Sequence, residues 1–196
     1  MKTIKKQLKL PEGTFEAEVQ EFDLNDEKKM FHFFNTWKEI SSLNKEYSGR
    51  GVNIPEGITE TLYCLATKSY RTNNLNLPNV NTTMDCYSDK EGRVQVKACS
   101  TEDDLTSFGP ASEWDLLAFM DFFHSGSLNG IFAVYEIPDI NGVIVKKSTG
   151  ETLKERKATG KRPRFSIKKE FIQTKRFLSK SVYKLTENGL VKLEEK

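Results

Sequence analysis

An α/β fold around a small central mixed β-sheet flanked by helices is the architecture that the 196 residues predict. Three observations carry it. Residues 26–47 place Met30, Phe33, Phe34, Trp37, Ile40 and Tyr47 at helical spacing, which argues an amphipathic helix. Residues 81–99 read as two short strands joined by a charged, Gly-containing turn. Ile131–Ile137 is an unbroken apolar run of strand length, the pattern of a strand buried on both faces. Helical and extended periods thus mix along a chain of single-domain length.

In chain order, the helix over 26–47 opens with Asn25 or Asp26 as its cap, since short polar side chains satisfy the free N–H groups of a first turn. Its aromatic stripe is assigned to the core, with His32 off the stripe and exposed. Ser48-Gly-Arg-Gly51 ends it, and Asn53-Ile-Pro-Glu56 starts a second helix with Pro55 in the first turn. Ile58, Leu62 and Leu65 mark its buried side, leaving Glu56, Glu60 and Tyr63 facing away. The hairpin at 81–99 follows. Ser112 with Asp115 three residues on reads as a capping box for a third helix carrying Trp114, Leu117, Met120 and Phe122. After Ile131–Ile137 and a turn at Pro138–Gly142 comes a strand at Val143–Lys147. Residues 148–163, rich in Thr, Gly and Lys, read as mobile. Ser166 caps a last helix through Phe171 to Leu178, and Asn188-Gly189 turns a closing hairpin. The boundaries are one domain over 1–196: an N-terminal helical elaboration at 1–50, a core at 54–177 and a C-terminal hairpin at 178–196.

Thirty Lys and Arg against 28 Asp and Glu leave a net charge of only +2, yet the distribution is uneven. Between Lys146 and Lys184 fourteen basic residues meet three acids, a local +11, so the remainder carries −9. One face for a polyanion and others for solvent is what such a split provides. Cys64, Cys86 and Cys99 are odd in number and lack Cys-x-x-Cys spacing, which fits buried thiols in a reducing cytoplasm rather than disulfides or a zinc site. Two isolated histidines exclude a histidine-based metal cluster. The start, Met-Lys-Thr-Ile-Lys-Lys-Gln-Leu-Lys-Leu, has no apolar run behind it, so neither a signal peptide nor a membrane span is expected, and the protein is placed in the cytoplasm.

The chemistry concentrates at 81–99. Alternate side chains of a strand share a face, so Gln95 and Lys97 point one way while Val94, Val96 and Ala98 point the other, and hairpin pairing brings Asp85 alongside. A carboxylate, an amide oxygen and an ammonium on one sheet face resemble the equipment of a metal-dependent phosphodiesterase. Phosphodiester hydrolysis needs a positioned water, a cation against developing charge and a group to steady the nucleophile. Asp85 can hold a divalent ion, and the Gln95 amide oxygen and the Val96 carbonyl add hard oxygens suited to Mg²⁺. Lys97 can orient an attacking water or lower its pKa. Gln95 in place of a carboxylate removes one negative charge, and Glu60 is the acid best placed to restore it.

With its surroundings, Asp85…Gln95-Val-Lys97 resembles the PD-(D/E)xK nuclease superfamily in its Asp…Gln-x-Lys variant. Phe108-Gly-Pro-Ala-Ser-Glu-Trp-Asp115 and Lys161-Arg-Pro-Arg-Phe-Ser-Ile167 are similar to segments of small type II restriction endonucleases, most nearly those that cut GC-N-GC. The resemblance covers about Ile54 to Phe177. It implies a restriction-endonuclease-like fold, a homodimer, Mg²⁺-dependent cleavage of both strands of double-stranded DNA, and a cognate methyltransferase as functional partner. Carried over residue by residue, it implies Asp85 as the metal-binding acid, Gln95 at the second-acid position, Lys97 as the catalytic lysine and Glu60 as the helix acid. Met84 stands where the family's proline usually precedes the acid.

For DNA reading, guanines are met by Arg forked onto O6 and N7, and cytosines by an acceptor to N4. Arg162 and Arg164, stiffened by Pro163, are the leading contacts. Lys161, Lys168 and Lys169 are phosphate contacts, which position without specifying. Ser112 and Glu113 join the DNA-contacting set, with Glu113 or Asp115 as cytosine acceptor. Two other readings stand beside this one: a winged-helix-like regulator, suggested by Tyr183-Lys-Leu-Thr-Glu-Asn-Gly189, and a structure- or mismatch-directed nuclease with the same core.

Overall fold

The computed structural model describes residues 1–73 and 75–194. The elements are β1 (Lys2–Leu10), β2 (Gly13–Glu21), α1 (Leu24–Ser48), α2 (Glu56–Thr67), β3 (Tyr70–Arg71), β4 (Cys86–Ser88), β5 (Gly92–Cys99), β6 (Thr106–Ser107), β7 (Leu116–Asp121), β8 (Ile131–Ile137), β9 (Ile144–Lys146), β10 (Glu151–Thr152), α3 (Leu153–Ala158), β11 (Arg164–Phe165), a π-helical turn at Lys168–Ile172, β12 (Ser179–Thr186) and β13 (Gly189–Leu193). Nine strands make one sheet in the order β1-β2-β3-β4-β5-β7-β8-β12-β13. Only β5 and β7 run parallel, in register from Val94 opposite Leu116 to Cys99 opposite Asp121; every other neighbour in this sheet is antiparallel. This is the mixed α/β sheet that the sequence predicts, but larger than the small sheet expected, because the N-terminal hairpin and the closing hairpin both join it. The parallel step forces a long crossover, residues 100–115, and that crossover builds one wall of a cleft beside β5.

Alternation along the strands divides the core. Val94 and Val96 of β5 join Ala118, Met120, Phe132 and Val134 beneath Phe34 and Trp37 of α1 and Ile58 and Leu62 of α2. On the opposite face, Leu117, Phe119, Ala133, Tyr135 and Ile137 are covered by Phe108, Ile140, Leu153, Phe165, Ile167 and Phe171 from the later connections. A third cluster lies under the first hairpin, with Leu8, Leu10, Ala17 and Val19 against Met84 and Tyr87.

Several expectations are corrected. The N-terminal region is not helical throughout, because residues 2–21 form the hairpin β1–β2; their period-two pattern puts Leu8, Leu10, Ala17 and Val19 inward. Asp23, rather than Asn25 or Asp26, caps α1, while Asp26 returns the reciprocal bond of a capping box. Phe33, Ile40 and Tyr47 lie on the exposed side of α1 rather than in the core. Tyr63 is buried.

The helix expected over 112–122 is the strand β7, all six of whose residues are buried. An apolar run of that length fits either period, and a place between two other strands decides for extension. Residues 148–163 hold β10 and α3, with a Thr152–Glu155 capping box and a fully buried Leu153. The last helix contracts to one π turn, although Ser166 Oγ does accept from the Lys169 N–H at 3.1 Å. The closing hairpin forms as expected, but its β12 pairs with β8 inside the main sheet. Residues 195 and 196 of that expected segment lie outside the described residues. All three cysteines are free and buried.

Candidate active site and DNA-facing segment

Asp85 lies one residue before β4, where the β4–β5 ladder ends at Cys86 opposite Val94. Its backbone N–H still donates to the Val94 carbonyl at 3.0 Å. Its side chain then continues the ladder in place of backbone, with Oδ2 accepting from the Val96 N–H at 2.8 Å. Gln95 donates its amide N–H to the same oxygen. The carboxyl is therefore fixed by two donors from β5 beside Lys97. Burial pushes the Asp85 pKa above the usual carboxylate range, opposed by the Lys97 charge and the two hydrogen bonds.

A cleft of about 350 Å³ opens here, lined by Asp85, Val96 and Lys97, by Glu56, Thr59 and Glu60 of α2, and by the crossover from Ser100 to Ser107. Glu60 is buried, and its Oε2 accepts from Arg71 Nε of β3 at 2.5 Å. Desolvation outweighs that guanidinium and raises the Glu60 pKa to about 7, with Asp85 and Glu56 adding repulsion. Carboxylates gathered in one cleft, Glu60 buried and Asp85 half-buried, create a local demand for positive charge. Lys97 supplies part of it.

The structure brings together Asp85, Val96, Lys97 and Glu60, as the sequence predicts, but Gln95 differs. Its side chain is buried and does not line the cleft; with its amide given to Asp85, it holds the acid instead of presenting an oxygen. Glu56 is the acid that sequence reasoning missed. It lies four residues before Glu60, a spacing that sets both on one helix face and was available in the sequence. Arg71 carried no such signal, since a two-residue strand has no readable period.

As for a metal, no three His, Cys, Asp or Glu side chains converge as a ready ligand set among the described residues. Mg²⁺ does not require one, because it retains several waters and takes one or two carboxylates. The buried Glu60, the half-buried Asp85 and a main-chain carbonyl are hard oxygen donors, so the residues present fit that ion.

The crossover wall is stitched to the basic segment. β6 pairs with β11, Ser107 opposite Arg164, and the Phe108 N–H donates to the Pro163 carbonyl at 3.1 Å. Asp104 is buried and accepts from Thr106 Oγ1 at 2.9 Å, Ser166 Oγ at 2.5 Å, the Ile167 N–H at 2.8 Å and the Lys168 N–H at 3.0 Å. Lys161, Arg162 and Arg164 are exposed beside this anchor. Lys169 is exposed and ion-paired with Asp103 at 3.0 Å.

Lys168 departs from the expected phosphate contact. It is buried, 2.9 Å from Asp121 Oδ1, and donates to the Thr101 carbonyl at 3.0 Å, so its charge is already used. Ser112 and Glu113 stand in the irregular 109–115 segment. The Ser112 carbonyl accepts from Lys157 Nζ at 2.5 Å, and Glu113 Oε2 lies 3.7 Å from Arg93. Asp115 caps no helix, because its carboxylate takes the Arg93 N–H at 2.8 Å and the guanidinium at 3.0 Å.

A lysine from β5 and carboxylates from α2 and from the residue before β4 line one cleft beside an exposed arginine-bearing segment, an arrangement suited to hydrolysis of a phosphodiester such as that of DNA. The comparisons agree and narrow it. Residues 22–174 match the family described as Bsp6I restriction endonuclease, and the chain belongs to that family. It is 34% identical over 140 residues, 70% of this chain and 75% of the relative, to the type II restriction enzyme Bsp6I of Bacillus sp. (strain RFL6). No solved structure matches.

Proposed function

We propose that this chain, acting as one nuclease domain paired in a two-fold dimer, is the Mg²⁺-dependent nuclease of a restriction–modification system. It cuts both strands of double-stranded DNA at a short, palindromic, GC-rich site, as a member of the PD-(D/E)xK superfamily in its Asp…Gln-x-Lys form. A cognate methyltransferase protects the host sequence. The observation that carries the reading is the Asp85–Lys97 pair at the mouth of a cleft whose far wall is bonded to the Arg162–Arg164 segment.

Asp85, Glu60 and the Val96 carbonyl would hold the ion, with Gln95 fixing Asp85. When bound, Mg²⁺ supplies charge neutralisation at the phosphate and a more acidic water. The remaining work falls to the chain. Lys97 holds a water or a phosphate oxygen by its ammonium, and its charge offsets the negative charge that grows at phosphorus. Arg71 keeps the Glu60 carboxylate turned into the site. Thr59 and Ser100–Ser107 wall the cleft against bulk solvent. Arg162 and Arg164 meet base edges or phosphates, while Lys161 and Lys169 hold phosphates.

The regulator reading loses its support because Tyr183–Gly189, its only motif, is built into the main sheet as part of the β12–β13 hairpin at one edge, with β12 paired to β8. Incubating a sequenced plasmid with the protein and Mg²⁺, then mapping the ends, tests the proposal. It expects discrete fragments ending at one GC-rich palindrome. Cutting confined to branched or mismatched duplexes, or no cutting at all, refutes it.

A further inference from the structure

We infer that the outward stripe of α1 is the surface through which two copies of this chain pair. The inference deepens the dimer reading above. Phe33, Ile40 and Tyr47 recur every seven residues, and Thr36 and Leu43 lie three residues after the first two, the a/d spacing of a helix–helix seam. These positions adjoin the core-facing side of α1 yet stay open: Phe33 is 41% exposed, Ile40 52%, Leu43 55% and Tyr47 90%. Val52, 39% exposed, extends the band on the strap that follows α1. Of the other large exposed apolar side chains, Leu24 sits at the start of α1 outside this spacing, and Ile144, Leu178 and Val191 lie elsewhere in the chain.

Three arguments select a second copy as the occupant. Taken at their exposures, the five apolar side chains offer roughly 600 Å², most of the ~800 Å² per partner that a stable dimer covers and more than an isolated surface residue needs explaining. The stripe is also self-complementary. Two α1 helices laid antiparallel about Ile40 set Phe33 of each copy against Tyr47 of the other, oppose their helix dipoles, and bring Glu46 to the end bearing Lys29 and His32. Finally, the stripe is continuous with the cleft rim. Phe33 backs onto Gly57 at 3.6 Å from its notional Cβ, and Gly57 adjoins Glu56 of the cleft lining. A two-fold axis at α1 turns the Glu56 side of each cleft toward the partner copy.

The test is sedimentation of the full chain without DNA or metal, so its outcome is independent of whether the cleft is catalytic. At about 50 μM the wild-type chain is expected at twice its 22.5 kDa mass. The double variant Ile40→Glu, Leu43→Glu is expected at the single-chain mass with an unchanged far-ultraviolet circular dichroism spectrum. Tyr47→Ala, too exposed to disturb folding, weakens the dimer about tenfold or more. The control pair Ile144→Glu, Val191→Glu stays dimeric. A monomeric wild type, a dimer that survives both stripe variants, or a control that dissociates equally overturns the inference. A dimer that obeys these results but cuts no DNA would refute the catalytic reading alone.

Discussion

Replacing Glu60 by glutamine should alter stability in a pH-dependent way whose sign is opposite to that of an ordinary ion-paired carboxylate. Burial raises the Glu60 pKa from 4.5 to about 7, despite the Arg71 guanidinium on its Oε2. The folded state thus holds its proton more tightly than the unfolded chain does. Its favourable contribution is complete below pH 4.5, declines between 4.5 and 7, and is gone above 7. That interval of about 2.5 pKa units corresponds to roughly 3 kcal/mol at about 1.4 kcal/mol per unit. The substituted glutamine keeps the neutral shape and an oxygen for Arg71 but cannot ionise.

Without divalent ions, the Glu60→Gln variant should match the wild type near pH 4.5 and exceed it by up to ~3 kcal/mol near pH 8. Urea unfolding midpoints across that range supply the assay. A variant offset that is constant with pH, or a wild type that gains stability relative to the variant as pH rises, would refute the reasoning. Adding Mg²⁺ at pH 8 should narrow the gap by stabilising the wild type preferentially, since only its carboxylate is ionised there.

Other perturbations separate anchoring from binding. Asp104→Ala strands the Ile167 and Lys168 N–H groups and should cost about 2–5 kcal/mol in denaturant unfolding, whereas Asp104→Asn should cost about half as much; a neutral Ala variant would dismiss the anchor. Arg162→Ala and Lys161→Ala should each lower the slope of log affinity against log salt by about one, as loss of a phosphate contact does. Lys168→Met should instead lower stability through the stranded Asp121 and leave that slope unchanged. A salt slope altered by Lys168→Met but not by Arg162→Ala would reverse the assignment.

The legible parts of this fold are those where local pattern and tertiary position agree. β5 alternates Val94, Val96 and Ala98 against Gln95 and Lys97, so one face had to be apolar, and the turn before it fixed the partner strand that Asp85 immediately precedes. The helical period of α1 was equally plain, but periodicity reports a wide apolar arc and not how much of it the sheet covers. Phe33, Ile40 and Tyr47 therefore read as core. β7 misled because Leu116–Met120 has no polar residue to reveal its period. Capping signals at Ser112 and Asp115 were local coincidences, overridden once Asp115 found Arg93 at a separation of 22 residues. Lys168 and Asp104 show the same limit: a buried charge is recognised by its partners, and Thr101, Asp121 and Ile167 come from different elements.

The proposed cleavage depends on Asp85 and Lys97 acting at the scissile bond. Supercoiled plasmid bearing the mapped site, with Mg²⁺, should be linearised by the wild type. Asp85→Asn and Lys97→Met should leave it intact at least about a hundredfold longer, while duplex binding measured in Ca²⁺ persists. Cleavage at the wild-type rate by either variant would contradict the claim.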